Sequence, residues 1–193
     1  MVANDTGGAV AQFVAARHAE RLARLVLTPC DAFENFLPPV LRHLQVFGRT
    51  PAGLWVRGQT LRLRVVQRLP IAFGRLTVLP IDAEIMRSYS RPLATSPVVR
   101  RDFAKLVRAI SSRHTKQVAE ELGRFDKPAM VIWGLADRLF PLAHAHRLAR
   151  LLPRASLAVI EDAGAFVTED QPQRVAALIG SFVASTAPTA VHA

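Results

Sequence analysis

Near the start of the chain, Ala3-Asn4-Asp5-Thr6-Gly7 sets a carboxylate between small neighbours, in the pattern small-x-nucleophile-x-small. That spacing suits a sharp turn from a strand into a helix, which lifts one side chain above the edge of a sheet. The small residues matter because the turn presses backbone against backbone, and glycine adopts such dihedrals at no steric cost. A carboxylate in that place is a nucleophile needing no deprotonation at neutral pH, and its attack on an electrophilic carbon leaves an ester on the protein. The same residues also make an ordinary Asx turn capping a helix, and the motif alone favours that plainer structure. A second carboxylate, Asp137, follows Trp133-Gly134-Leu135-Ala136 and precedes Phe140-Pro141. Its plain reading is a surface carboxylate facing Arg138.

These side chains need elements to hold them. Residues 9–18 are Ala-rich, with apolar residues around most of the circumference, and predict a helix packed under the turn. Residues 21–29 read as a buried strand ended by Pro29, and Leu25-Val26-Leu27 suits the interior of a parallel sheet. Residues 30–36 then leave the strand's carboxyl end, where sites of open α/β sheets collect; Asp31 and Glu34 there are alternative acid positions. Residues 38–123 change character, with short amphipathic pieces between breakers such as Pro51, Gly58, Pro70, Gly74 and Pro92. One piece, residues 61–66, alternates well enough to be a strand. From Lys127 the strand and helix alternation resumes, with strands at 128–133 and 156–160 and helices at 143–152 and from Pro172 onward.

The elbow, the Asp137 loop and the last loop, residues 160–172, together resemble the α/β-hydrolase superfamily, and an Asp at the elbow resembles its aspartate-nucleophile branch of haloalkane dehalogenases and epoxide hydrolases. The resemblance implies an α/β-hydrolase fold, a mostly parallel sheet flanked by helices, with a helical cap inserted. It implies Asp5 as nucleophile, the Thr6 N–H as an oxyanion donor and Asp137 as the triad acid. It also implies a histidine in the last loop, but there Gly164-Ala165-Phe166 carries Ala165. Without that base the ester on Asp5 has no group to activate water, and neither Asp31 nor Glu34 is expected to replace it. His144 and His146 are expected to be solvated helix residues, and His18 to sit at a helix C-terminus. The halide-binding Trp that follows the nucleophile in dehalogenases is Thr6 here, which leaves at most Trp55. The cap tyrosines of epoxide hydrolases reduce to Tyr89. The family also has strands ahead of its elbow, so the first strands are expected to be missing and the chain truncated.

The organisation expected is residues 1–37 as the first core part, 38–123 as the cap, 124–186 as the second core part and 187–193 as a flexible tail. The formal charge of +10 invites a nucleic-acid partner. However, the 25 basic residues are all arginine except Lys105, Lys116 and Lys127, are spread along the chain, and alternate with no aromatic platform. A solvated basic surface is expected, without nucleic acid or membrane as partner. No His, Cys and carboxylate cluster has metal spacing, so neither metal nor cofactor is expected. One cysteine, Cys30, and no apolar leader point to the cytoplasm. The function expected is a hydrolase acting on a small apolar ester, halide or epoxide-type substrate, impaired by Ala165. The alternative is a non-catalytic protein of the same fold that binds a ligand or partner. Oligomeric state is left open.

Overall fold

The computed structural model describes residues 1–186, and the tail expected at 187–193 lies outside them. Strand β1 (Val2–Asn4) runs directly into helix α1 (Asp5–Arg17), and a short 3-10 turn leads back to β2 (Leu25–Cys30). Six helices follow among the described residues: α2 (His43–Phe47), α3 (Pro51–Thr60), α4 (Arg64–Gln67), α5 (Ala83–Thr95), α6 (Pro97–Ala109) and α7 (Ser112–Glu121). The chain then returns through β3 (Ala129–Gly134), α8 (Leu142–Leu151), β4 (Ala155–Ile160), the single turn α9 (Val167–Asp170) and α10 (Pro172–Ser185).

The four strands are parallel and lie in the order β1-β2-β3-β4. Right-handed crossovers that keep moving the same way across a sheet drop their helices on one face. Accordingly α1 and α8 share a core with Leu27, Val131 and Trp133, through Ala11, Ala15 and Leu148. The other face carries Val26, Ile132 and Ile160 against Val175 and Phe182 of α10. Neighbouring residues of β2 and β3 thus feed opposite cores, as the two-residue period of a strand requires. This is the expected class, a parallel sheet flanked by helices.

Several expectations change in detail. Pro29 lies inside β2 rather than ending it. Both ladders stop at Leu27, paired with Ala3 on one side and Val131 on the other, so the missing N–H of Pro29 removes no rung. Residues 61–66 form no strand: α3 ends at Thr60, α4 begins at Arg64, and no sheet edge reaches them. Helix α1 packs by one side only, through Gly8, Ala9, Ala11, Gln12 and Ala15, while Val10 is exposed. The turn α9 escapes the apolar periodicity because it is too short to show one. No helix among the described residues is long and apolar enough to cross a membrane.

The helical segment is tied to the sheet at a few points. The Phe166 N–H donates to the Leu76 carbonyl at 2.7 Å. The Asp170 carboxylate accepts the N–H groups of Val78, Leu79 and Gly164 at 2.8–3.1 Å. On the far side the Thr115 hydroxyl donates to the Phe33 carbonyl at 2.5 Å.

Candidate active site

Asp5 stands where β1 becomes α1, with φ 52°. That left-handed conformation costs a residue bearing a Cβ roughly 1–2 kcal/mol, so it persists only where the surroundings enforce it. Just beyond the turn α1 comes close against β2 at Gly8, where a Cβ would lie 2.2 Å from the Cβ of Cys30. Gly7, the glycine of the motif, has open space around it, and no glycine in the chain has positive φ. The close approach therefore falls one residue later than the motif predicts, and the strained dihedral belongs to the acid itself.

Thr6 offers Asp5 its backbone N–H and its hydroxyl, both of which favour the ionised form, yet burial dominates and pushes the Asp5 carboxyl up. The same hydroxyl lies 3.1 Å from Oδ2 of Asp31. Asp31, first residue past β2, is fully buried, and its Oδ1 has no partner. Its backbone is pinned on both sides, with the N–H to the Asp5 carbonyl at 3.4 Å and the carbonyl to Nε2 of Gln12 at 2.9 Å. Burial first, and the charge of Asp5 second, raise the Asp31 carboxyl to about 8.

Asp137 lies beyond the end of β3. Its Oδ1 accepts the N–H groups of Leu139 and Phe140 at 2.8 and 3.0 Å, and its Oδ2 is buried without a partner. Burial again leads, those two N–H bonds oppose it, and the charge of Asp5 adds to it, leaving the carboxyl at about 6. Asp137 is thus directed inward and makes no ion pair with Arg138 among the described residues. The three carboxylates sit at the carboxyl ends of β1, β2 and β3, and each of Asp31 and Asp137 responds to Asp5.

The fourth strand brings Ala165. Nδ2 of Asn4 donates to the carbonyls of Pro29 and Ala165 at 2.8 and 3.2 Å, lacing the elbow to the loop after β4. Gly134 makes that loop's approach possible, since a Cβ there would lie 2.2 Å from the Ala163 carbonyl. Ala165 is fully buried beside the elbow and presents only a methyl group. The sequence names Ala165 but misses the two residues that hold its loop, Asn4 and Asp170. The one local signal for Asp170 is an acid just ahead of the proline that opens the last helix.

The histidines stand elsewhere. His144, expected to be solvated, is 6% exposed, with Nε2 3.1 Å from Oε1 of Glu34 and its ring edge-on to Phe33. The loop after β2 folds over the start of α8 and covers it. This also removes Glu34 from the carboxylate group, since it pairs with His144 and Arg147 at the surface. His18 caps α1 as expected. No histidine among the described residues bonds to Asp5, Asp31 or Asp137, and no group of His, Cys, Asp and Glu is arranged to hold a metal ion. Trp133 is buried, with its indole N–H donated to the Phe140 carbonyl at 3.0 Å, and Trp55 is half exposed on α3. The Tyr89 hydroxyl is donated to Glu169. A cavity of about 690 Å³ lies within the helical segment, lined by Arg62, Arg64, Arg68 and Arg87 with Phe73 and Met86, and none of the three carboxylates borders it.

Comparison with known proteins places this geometry. The chain is 26% identical over 199 residues to a cis-3-alkyl-4-alkyloxetan-2-one decarboxylase of Shewanella oneidensis, covering 96% of this chain and 60% of that protein. It is 28% identical over 182 residues to haloalkane dehalogenase 2 of Mycobacterium bovis, covering 91% and 60%. A crystal structure of an α/β-hydrolase fold protein from Burkholderia ambifaria superposes with a TM-score of 0.73 at 21% identity, over 92% of this chain and 63% of that one. The chain therefore spans about 60% of the length of these curated relatives. The family model described as "Alpha/beta hydrolase family" matches residues 1–178, from the elbow strand into the last helix. On that match, with the sheet and elbow it leads one to expect, the chain belongs to the α/β-hydrolase family.

Proposed function

We propose that the chain acts as a hydrolase that takes a small, largely apolar ester, halide or epoxide-type substrate onto Asp5 as a covalent adduct, an alkyl ester from a halide or epoxide and a mixed anhydride from an ester, with residues 38–123 as a cap over the strand ends. The observation that carries this reading is the left-handed backbone of Asp5, held between Asn4 and Gly8 at the tip of a parallel strand. Strain of this kind is maintained where a side chain must be presented at one angle. A plain helix cap needs no such dihedral, since the usual capping residue has extended φ/ψ. Asp5 would attack carbon and expel the leaving group, the Thr6 N–H would hold the Asp5 carbonyl oxygen when water then attacks the adduct and charge develops on it, and Asp137 would stand at the acid position. The haloalkane dehalogenase among the relatives supports an electrophilic carbon as the target. We place the protein in the cytoplasm, in keeping with its one buried, unpaired cysteine.

Ala165 favours a second reading, a non-catalytic member of the family that binds a ligand or partner in the same place. Intact-mass analysis after incubation with 1-bromobutane, 1,2-epoxybutane and 4-nitrophenyl butyrate separates the two. The hydrolase reading expects a covalent adduct mapping to Asp5 or release of product, and complete loss of both in Asp5→Asn. The binding reading expects neither adduct nor product from any of the three. If the remaining machinery is intact, Ala165→His speeds turnover of the adduct-forming compound, measured as product per enzyme; no gain counts against a latent catalytic site.

A further inference from the structure

We propose that Thr6 and Asp31 form a proton relay that takes over, for release of the Asp5 ester, the work of the absent histidine. This rests on the reading of Asp5 as the nucleophile. The geometry that supports it is a hydroxyl bound to a buried carboxyl and carried by the residue next to the nucleophile. Thr6 is partly exposed at the elbow and its hydroxyl bonds to Oδ2 of Asp31 at 3.1 Å, while Asp31 itself is sealed from solvent. The same hydroxyl also favours ionisation of Asp5. A hydroxyl both donates and accepts, so Thr6 Oγ1, which donates to the buried Asp31 carboxyl, can take a proton from water beside the nucleophile as it gives its own to Asp31.

The buried end has no competing use. Oδ1 of Asp31 has no protein partner, and no basic side chain bonds to either of its carboxyl oxygens among the described residues. The titratable groups that face it are Asp5 from α1, Cys30 from β2, and Asp137 from the loop after β3 by way of Asp5. In the free protein their burial and mutual repulsion keep Asp31 protonated at neutral pH, at about 8. Alkylation neutralises Asp5 and removes one of the repelling charges, so Asp31 loses its proton more readily at the stage where a base is needed.

With an alkyl bromide the steps balance as follows. An oxygen of the Asp5 carboxylate forms a bond to carbon while the C–Br bond breaks, and bromide leaves with the electron pair. Asp31 gives up its proton to solvent by way of the partly exposed Thr6 hydroxyl. Water then attacks the Cγ of the ester; its proton passes to Thr6 Oγ1 as the hydroxyl proton of Thr6 passes to Asp31. Collapse of the tetrahedral intermediate breaks the bond between Cγ and the alkyl oxygen, and the proton on Asp31 returns through Thr6 to the leaving alkoxide. The proton left on the regenerated Asp5 carboxyl passes through Thr6 to Asp31, which restores both groups, so the proton that Asp31 gave up earlier is the one released: one alcohol, one bromide and one proton per water consumed.

The test is bromide release from 1-bromobutane, counted per protein molecule, with intact mass taken at the end. With the relay working, the unaltered chain releases many equivalents. Asp31→Asn and Thr6→Val stop after a burst of one equivalent with an adduct on Asp5, their release step slowed by about 100-fold or more, the usual range for a lost general base. Thr6→Ser, which keeps the hydroxyl, restores release. Release in the unaltered chain rises with pH as Asp31 ionises, and this dependence is absent in Asp31→Asn. If Asp31→Asn does not fold, Thr6→Val and Thr6→Ser carry the test. The relay is overturned if the unaltered chain also stops at one equivalent, or if Thr6→Val turns over as the unaltered chain does. Absence of bromide and adduct from every form overturns the Asp5 reading beneath it.

Discussion

Two regions of this molecule handle charge in opposite ways. At the strand ends three carboxylates are taken out of water, with few partners, and are pushed toward their neutral forms, Asp31 to about 8 and Asp137 to about 6. In the helical segment four arginines line an open cavity of about 690 Å³ and make no ion pair among the described residues. Water does the compensating there, which is why exposed guanidinium groups can gather at little energetic cost. The formal charge of +10 therefore describes the surface and says nothing about the site, where local charge is negative or neutral. Burial, more than net charge, decides the chemistry available in each place.

The comparison is sharpest at the junction of the two regions. Asp170 is a buried carboxylate that joins them, accepting N–H groups from Val78 and Leu79 in the helical segment and from Gly164 beside Ala165. Asp170→Ala leaves these donors without an acceptor, and the expected loss is about 3 kcal/mol or more, read as a lowered urea midpoint. A variant within 1 kcal/mol of the unaltered chain would mean that water replaces the carboxylate and that the segment is held by other contacts.

The next largest effect concerns Asp31 and pH. Its folded carboxyl lies above its ordinary value, so the folded chain binds the proton more tightly than the unfolded chain does. The stability it contributes is fully present at low pH, falls as pH rises from about 4, and is lost by about 8. Asp31→Asn removes that slope. Its melting temperature relative to the unaltered chain is expected to be higher at pH 9 than at pH 5, measured by differential scanning fluorimetry. The same relative melting temperature at both values would place Asp31 in a far wetter setting than its burial implies.

The smallest effect belongs to the arginine groove. Arg64→Gln combined with Arg68→Gln is expected to change stability by no more than about 0.5 kcal/mol, as for most surface substitutions, while weakening salt-sensitive retention on heparin. A large destabilisation would show that these guanidinium groups are structural.

Most of the sheet was legible because its evidence is local. Val131-Ile132-Trp133, the apolar face of α8 through Leu148, and Pro172 opening α10 all declare themselves within a few residues. Helix α9 and the turn at residues 61–63 were not legible, the first because it is one turn long and the second because strict alternation reads as a strand unless one knows that no sheet edge is near. His144 was read as solvated because its helix offers nothing to bury it; Glu34 and Phe33, more than a hundred residues earlier, do so.

The same division holds for the site. Asp5, Thr6, Asp137 and Ala165 were named as candidates by the sequence, through residue type, order along the chain and the resemblance of their loops to the family's. That Asp31 is sealed beneath Thr6, that Gly8 rather than Gly7 carries the close approach, and that Asn4 laces the elbow to the loop after β4 were decided by tertiary structure alone. Each depends on contacts between strands adjacent in the sheet but distant in the chain. Burial and hydrogen-bond geometry, which set whether a carboxylate is an anion or an acid, exist only once those strands are side by side.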